Sequence, residues 1–173
     1  LYYNKDMFTK AGLPEPKDKM TWEEFVDLSK KLTKGDVVGF GGNFDLARLK
    51  YAAEATGSKI ETADGKPNFT DPEVIKAIKQ FIDMHTAKTL VTAEEKGAGW
   101  AGDLLGTGKV AMVMEGPWIQ PFLAQNFKDL KYGVVEMPLT AGKPTTEAYN
   151  VSLGINADSK KKVAARKLID FMT

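Results

Sequence analysis

The sequence predicts an α/β protein, a sheet flanked by helices, and three observations carry that prediction. Short apolar runs of strand length, at 37–40, at 110–114 and in "YGVVEMP", are separated by longer segments whose apolar residues recur at helical spacing. The helical segments carry their own start signals, Thr21-Trp22-Glu23-Glu24 and Thr70-Asp71-Pro72-Glu73. Glycines fall where one kind of segment gives way to the other. Alternation of the two periodicities is what a helix-covered sheet requires.

Along the chain, Leu1, Tyr2 and Tyr3 look like part of a strand already in progress. Thr21 and Glu24 form a capping box, with Thr21 as N-cap and Glu24 at the third helical position. Phe25, Leu28 and Leu32 follow on one face, and Gly35 is expected to stop the helix. A short strand over 37–40 leads into a glycine loop. Asn43 or Asp45 can cap the next helix, which should carry Leu46, Leu49 and Ala53 inward and end at Gly57. Asp64-Gly65 has the composition of a hairpin turn. From Asp71 a further helix should present Val74, Ile78, Phe81 and Ile82 as its apolar stripe. After Leu90 the order is loop, short helix, loop, strand, loop. Gly116-Pro117-Trp118 then opens another helix, since proline suits the first helical turn. "YGVVEMP" reads as a strand. "YNVSLGIN" alternates, with Tyr149, Val151, Leu153 and Ile155 on one face, and a last helix holds Val163, Ala164, Leu168, Phe171 and Met172. There is no internal repeat. The last helix stops at its final turn, and both ends read as cuts from a longer chain.

Composition narrows the function. The 173 residues are 43% hydrophobic and 27% charged, with a net charge of +1, the balance of an ordinary globular chain with no polyanion partner. Lysine supplies nearly all the positive charge; Arg48 and Arg166 are the only arginines. That argues against a nucleic-acid reader, which favours the bidentate guanidinium. No stretch is long enough to span a membrane as a helix. Absence of cysteine excludes disulfides, thiolate metal sites and a thiol nucleophile. The single histidine, His85, reads as a surface residue near a helix C-terminus, where the dipole favours it, and one histidine does not build a zinc site of the usual kind. No metal or other cofactor is expected.

"GDLLGTGKVAMVMEGPW", residues 102–118, looks at first like a phosphate loop and fails the requirements of one. The first glycine of the motif would fall at Asp103, and Val110 follows Lys109 where a hydroxyl should hold magnesium. The loop also precedes a strand, whereas a phosphate loop joins a strand to a following helix.

Four linked stretches, "LYYNKDMFTKAGLPEPKDKMTWEEF", "GTGKVAMVMEGPW", "YGVVEMPLTAGKP" and "SLGINADSKKKVAARKLIDFMT", occur in an order and spacing that resembles the extracellular solute-binding proteins of ABC importers, of the sugar-type, maltose-binding-protein-like family. The resemblance implies a periplasmic-binding-protein-like fold of two α/β lobes joined by crossover strands, with ligand in the cleft. It places 1–135 as most of the C-terminal lobe, beginning at a hinge strand, and 136–173 as the crossover and a fragment of the N-terminal lobe. It implies a sugar or oligosaccharide ligand, ABC permease subunits as partners, and no enzymatic activity. It also implies an extracellular or periplasmic location, with membrane association only through the transporter or a lipid anchor outside this chain.

On that resemblance the strand ending in "GPW" runs toward the cleft and places Trp118 at its rim. A sugar offers an apolar C–H face to an aromatic ring and an equator of hydroxyls to polar groups; the other reading of Trp118 is a core residue that packs its helix. Trp100, among glycines, is open to a cleft contact or a core anchor. Phe44 and Asp45 fall where family members place ligand-facing groups, although Asp45 can serve only as an N-cap. Leu46, Ala47 and Arg48 follow it where maltose-type proteins offer an aromatic, and that departure weighs against a maltodextrin ligand. Tyr149 and Asn150 precede the strand re-entering the cleft, where Tyr149 can be simple strand packing. Glu115 reaches the cleft or caps the next turn. Trp22 belongs to a capped helix and reads as structural. The alternative function is a carbohydrate-active hydrolase using a carboxylate pair, with Asp45, Asp103, Glu115 and Glu147 available and no motif pairing them. A protein-interaction module would need an exposed apolar patch, of which the patterning gives no sign.

Overall fold

The computed structural model describes all 173 residues. Five strands form one sheet: β1 (Tyr2–Asn4), β2 (Val38–Gly41), β3 (Leu90–Val91), β4 (Val110–Val113) and β5 (Tyr132–Val134), in the order β3-β2-β4-β1-β5. β2, β3 and β4 are parallel; β1 lies antiparallel between β4 and β5. The helices are α1 (Lys5–Ala11), α2 (Trp22–Leu32), α3 (Leu46–Ala55), α4 (Pro72–Thr86), α5 (Ala101–Gly106), α6 (Ile119–Asn126) and α7 (Lys162–Met172). Parallel neighbours need crossovers, and α3 with α4, then α5, supply them. The predicted α/β class, a sheet flanked by helices, is the one observed.

Two buried clusters occupy the two sides of the sheet. One joins Tyr3, Phe8, Trp22, Phe25, Phe40, Tyr51, Phe81 and Met112 under α1 to α4. The other joins Tyr2, Leu104, Leu105, Val110, Val113, Ile119 and Leu123 under α5 and α6. Tyr2 and Tyr3 go to opposite clusters, as do Met112 and Val113, because successive strand residues point to opposite faces. Burial of each such aromatic or aliphatic side chain stabilises the fold by roughly 1.5–3 kcal/mol. Trp22 is structural, wedged between Phe25 and Phe81 with ring centroids 5.3 and 4.9 Å away.

The start signals work as the sequence indicates. Thr21 Oγ1 accepts from Glu24 N–H at 3.1 Å, and Glu24 Oε2 accepts from Thr21 N–H at 2.8 Å. Asp71 caps α4 ahead of Pro72, and Asp45, not Asn43, caps α3. Asp64-Gly65 sits in a turn closed by a single Glu61–Pro67 bridge rather than in a hairpin of paired strands.

Several expectations are corrected. α1 has no sequence counterpart above; Asn4 ends β1 and at once caps the helix by accepting from Met7 N–H. α2 stops at Leu32 with Thr33 as its C-cap, so Gly35 lies beyond the helix, in the turn that leads to β2. Leu46 is exposed because the first turn of α3 extends past the packed stretch that begins at Leu49. Ile82 is exposed because the buried stripe of α4 runs through Val74, Ala77, Phe81 and Met84, and Ile82 falls beside it. "YNVSLGIN" is irregular rather than a strand: no neighbouring strand lies alongside to take its backbone hydrogen bonds, and Val151 is 93% exposed. α7 forms as predicted but buries no side chain, leaving Val163, Leu168, Phe171 and Met172 exposed. An exposed apolar face is therefore present where the patterning suggested none. No helix is long and apolar enough to cross a membrane.

α2 crosses β2 at Gly39 so closely that a Cβ there would stand 1.9 Å from the Ser29 carbonyl oxygen. Gly39→Ala should therefore destabilise the fold by about 3 kcal/mol or more, the upper range of overpacking, read by denaturant unfolding. Thr21→Ala, which only removes a cap, should cost about 1 kcal/mol.

Tyr3 donates to Glu15 Oε2 at 2.6 Å, and burial, with the Glu15 carboxylate adding, pushes its phenol up to about 12. Between its unfolded value of 10.0 and about 12 the folded state holds a proton that the unfolded state has lost. Stability should fall as pH rises through that window, and Tyr3→Phe should flatten the fall in urea melts taken from pH 9 upward.

Candidate functional site

An open cavity of about 810 Å³ lies at the carboxyl ends of the parallel strands, where open α/β sheets place ligands. Its walls come from the β4–α6 loop (Met114 to Trp118), the first two turns of α3 (Ala47, Arg48, Tyr51), the start of β1, the exit of β5 and the segment from Pro144 to Tyr149. β4 is hydrogen-bonded on both sides, to β2 and to β1, so the loop it delivers starts from a fixed point.

The polar centre of this wall is Glu115. Its side chain is 0% exposed, and Arg48 beside it is 29% exposed. Arg48 Nη2 donates to Glu115 Oε1 at 2.8 Å and to Oε2 at 2.9 Å, while Nη1 donates to Asp45 Oδ2 at 2.6 Å. Burial pulls the Arg48 guanidinium down, but Glu115 and Asp45 more than offset it, so the net displacement is upward. Asp45 has a second task, accepting from Arg48 N–H at 2.9 Å as the cap of α3. One acid thus ends the loop, starts the helix and orients the cation. Trp118 Nε1 donates to Glu115 Oε2 at 2.9 Å.

Trp118 is 45% exposed, and its ring meets Tyr149 at 5.7 Å, 65° between planes. Tyr149 donates through its hydroxyl to Ala47 O at 3.3 Å. Burial raises the Tyr149 phenol, the nearby Arg48 opposes this, and the carboxylates of Glu147, Asp45 and Glu115 reinforce it. Lys50 reaches Glu147 at 3.4 Å, tying the 144–149 segment to α3. Tyr51 forms the floor, its phenol raised by burial.

Of the residues singled out from sequence, Trp118, Glu115 and Tyr149 converge on the cavity. Asp45 stands behind Arg48 as both cap and ion-pair partner, outside the cavity wall. Phe44 lies outside it too, edge-on to His85 at 5.2 Å. His85 is at the C-terminus of α4 and 2.9 Å from Glu95. Asn150 is exposed and does not line the cavity. Trp100 packs on Phe122 at 4.8 Å against the other buried cluster, away from the cavity. Arg48, Tyr51 and Met114 on the wall are not among the predicted site residues, and Glu147 figures only among the carboxylates of the hydrolase reading. Arg48 had a readable signal, an arginine three residues after a capping acid in a chain with two arginines. Glu147 had none, because its place depends on how an irregular segment returns across α3.

An open cavity at strand ends, with an exposed tryptophan beside a buried ion pair, has the form of a ligand-binding site. The sequence model of the family described as bacterial extracellular solute-binding protein matches residues 1–173, and the chain belongs to that family. The galactooligosaccharide-binding protein of Bacillus subtilis (strain 168) is 30% identical over 188 residues, 99% of this chain and 42% of that protein. The ABC substrate-binding protein Lmo0181 from Listeria monocytogenes, solved in complex with cycloalternan, superposes with a TM-score of 0.81 at 24% identity, over 99% of this chain and 44% of that one. A solute-binding protein from Agrobacterium radiobacter K84, solved in complex with ribitol, is 28% identical with a TM-score of 0.75, over 99% and 45%. The chain thus spans less than half the length of these relatives.

Removing Arg48 would leave the Glu115 carboxylate buried without its cation. Arg48→Met should destabilise the protein by about 3 kcal/mol. Arg48→Met with Glu115→Leu should recover most of the loss, because the penalty belongs to the unpaired charge. Thermal and urea unfolding of the two variants check this.

Proposed function

We propose that these residues are part of the solute-binding component of an ABC importer, taking a sugar or oligosaccharide between two lobes outside the cytoplasm. In this reading 1–135 make most of the C-terminal lobe, and 136–173 the crossover and a fragment of the N-terminal lobe. Closure of the lobes on ligand is the signal to the permease subunits, and a lipid anchor outside this chain holds the protein at the membrane. The observation that carries it is Trp118, exposed on a cavity wall beside a guanidinium already held by two carboxylates. Such a ring takes the C–H face of a sugar, and the polar edges around it take hydroxyls. Family membership and the ligand-bound relatives support the same class.

The hydrolase alternative is disfavoured by the engagement of its four carboxylates. Asp45 and Glu115 are both held by Arg48, Glu147 faces Lys50, and Asp103, on α5 and not on the cavity wall, accepts from Gly99 N–H at 3.0 Å. A general acid needs a carboxyl that carries a proton to give, whereas an arginine-bound carboxylate only accepts.

Calorimetry of the full-length protein against a panel of mono- and oligosaccharides tests the reading. Trp118→Ala should weaken binding about tenfold to a hundredfold, which is about 1.4–2.8 kcal/mol, with little change in melting temperature. A collapse in melting with normal binding by the remaining folded protein would make Trp118 structural. Turnover of a glycoside, lost on replacing Asp45 or Glu115, would restore the hydrolase.

A further inference from the structure

The structure assigns Glu115 the part of a positioning residue: its carboxylate fixes the Trp118 ring over the cavity and does not itself take the ligand. This rests on the sugar-binding reading of the cavity and says how its aromatic platform is held.

An acid at the wall of a sugar cavity would ordinarily be read as an acceptor for ligand hydroxyls. Glu115 is placed differently. Its side chain is wholly shielded from solvent although the residue itself lines the cavity. A carboxylate offers about four acceptor positions, and three protein N–H contacts already point at this one. Two come from Arg48 Nη2 at 2.8 and 2.9 Å, and the third from Trp118 Nε1 at 2.9 Å. The last of these is the only hydrogen bond made by the Trp118 side chain. Charge-assisted bonds of this kind are about twice as strong as neutral ones, and this acceptor cannot swing, because it is buried and pinned by the guanidinium.

Two further contacts limit the ring. The indole lies directly over Gly116, where a Cβ would come 2.2 Å from the ring. Its edge meets Tyr149. Gly116 thus gives the ring room to fold back onto its own loop, and Glu115 gives it an orientation. Pro117 lies in the turn ahead of α6, whose N-cap is Trp118, rather than in its first helical turn, so Glu-Gly-Pro-Trp reads as acceptor, clearance, turn, platform. Arg48 is the only cationic side chain on the cavity wall. Held by Glu115 and Asp45, it is not available to an anionic ligand from this lobe, which keeps the platform's surroundings suited to neutral hydroxyls.

Glu115→Gln in the full-length protein tests the assignment. An amide has one acceptor oxygen, one NH₂ donor and no charge. It therefore puts a donor against a donor, facing Arg48 Nη2 from the Oε1 position or Trp118 Nε1–H from the Oε2 position, and holds the indole at best through a neutral oxygen, about half as strongly. The ring is read first without ligand, by ¹⁵N–¹H spectra in which the Trp118 indole is identified as the signal missing from Trp118→Phe. Its hydrogen exchange should speed up about tenfold or more in Glu115→Gln. Binding is then read by calorimetry in a cycle with Trp118→Ala. Glu115→Gln should weaken sugar binding about tenfold in the wild-type background and less than twofold where Trp118 is already alanine. Unchanged indole exchange would overturn the positioning role. Losses that multiply in the double variant would also overturn it, because Glu115 would then touch the ligand itself. If the unsubstituted protein binds no sugar in the panel, the functional reading fails, while indole exchange still decides whether Glu115 holds the ring.

Discussion

A carboxylate removed from water must find its counter-charge, and the cavity side of this protein is arranged around that requirement at Glu115. The acid arrives on the loop leaving the central strand β4, while its cation arrives on the first turn of α3. Those two elements are 67 residues apart in the chain. Their pairing therefore sets the distance between helix and loop, and with it the width of the cavity. The same contact passes the constraint outward. Asp45 holds the far side of the guanidinium and starts α3, and the Trp118 indole hangs on the carboxylate. Breaking one member leaves the others with unmatched charge or an unheld ring.

The sheet makes such a fixed point possible. β4 is flanked by β2 on one side and β1 on the other, and four of its residues are fully buried. Its end can move little without disturbing both neighbours. β1 runs against the direction of β4 and beside β5, which brings the beginning of the chain and the exit of β5 to the rim of the same cavity. Helices on both faces close the sheet, and the tight crossing of α2 over Gly39 leaves no slack on that side. Rigidity in the sheet and openness at its strand ends are thus two consequences of one topology.

Much of this was legible from residue order. Periodicity and capping chemistry are local, so the capping box at Thr21, the Asp71-Pro72 start and the stripe of α4 could be read without knowing what packs against them. The Glu-Gly-Pro-Trp stretch could be read as a strand end opening into a helix for the same reason. Strand character is less local. "YNVSLGIN" has the alternation of a strand and remains irregular, because a strand exists only beside another strand that takes its hydrogen bonds. Local composition also gave no means of telling Trp118 from Trp100. Both are tryptophans near glycines at a helix start. One lines the cavity and the other packs on Phe122 against the second buried cluster, and that difference is set by contacts distant in the chain.

The sequence by itself determined the α/β class, the order of most elements and the family, and it singled out Trp118, since all of these are written in spacing and short motifs. Only the tertiary structure decided that Arg48, Glu115 and Trp118 form one unit, that Asp45 works behind the cavity wall, and that Phe44, Trp100 and Asn150 stand away from the cavity. The physical reason is that a buried ion pair has no signature in either partner's surroundings along the chain. It exists only where folding removes both groups from water at the same place.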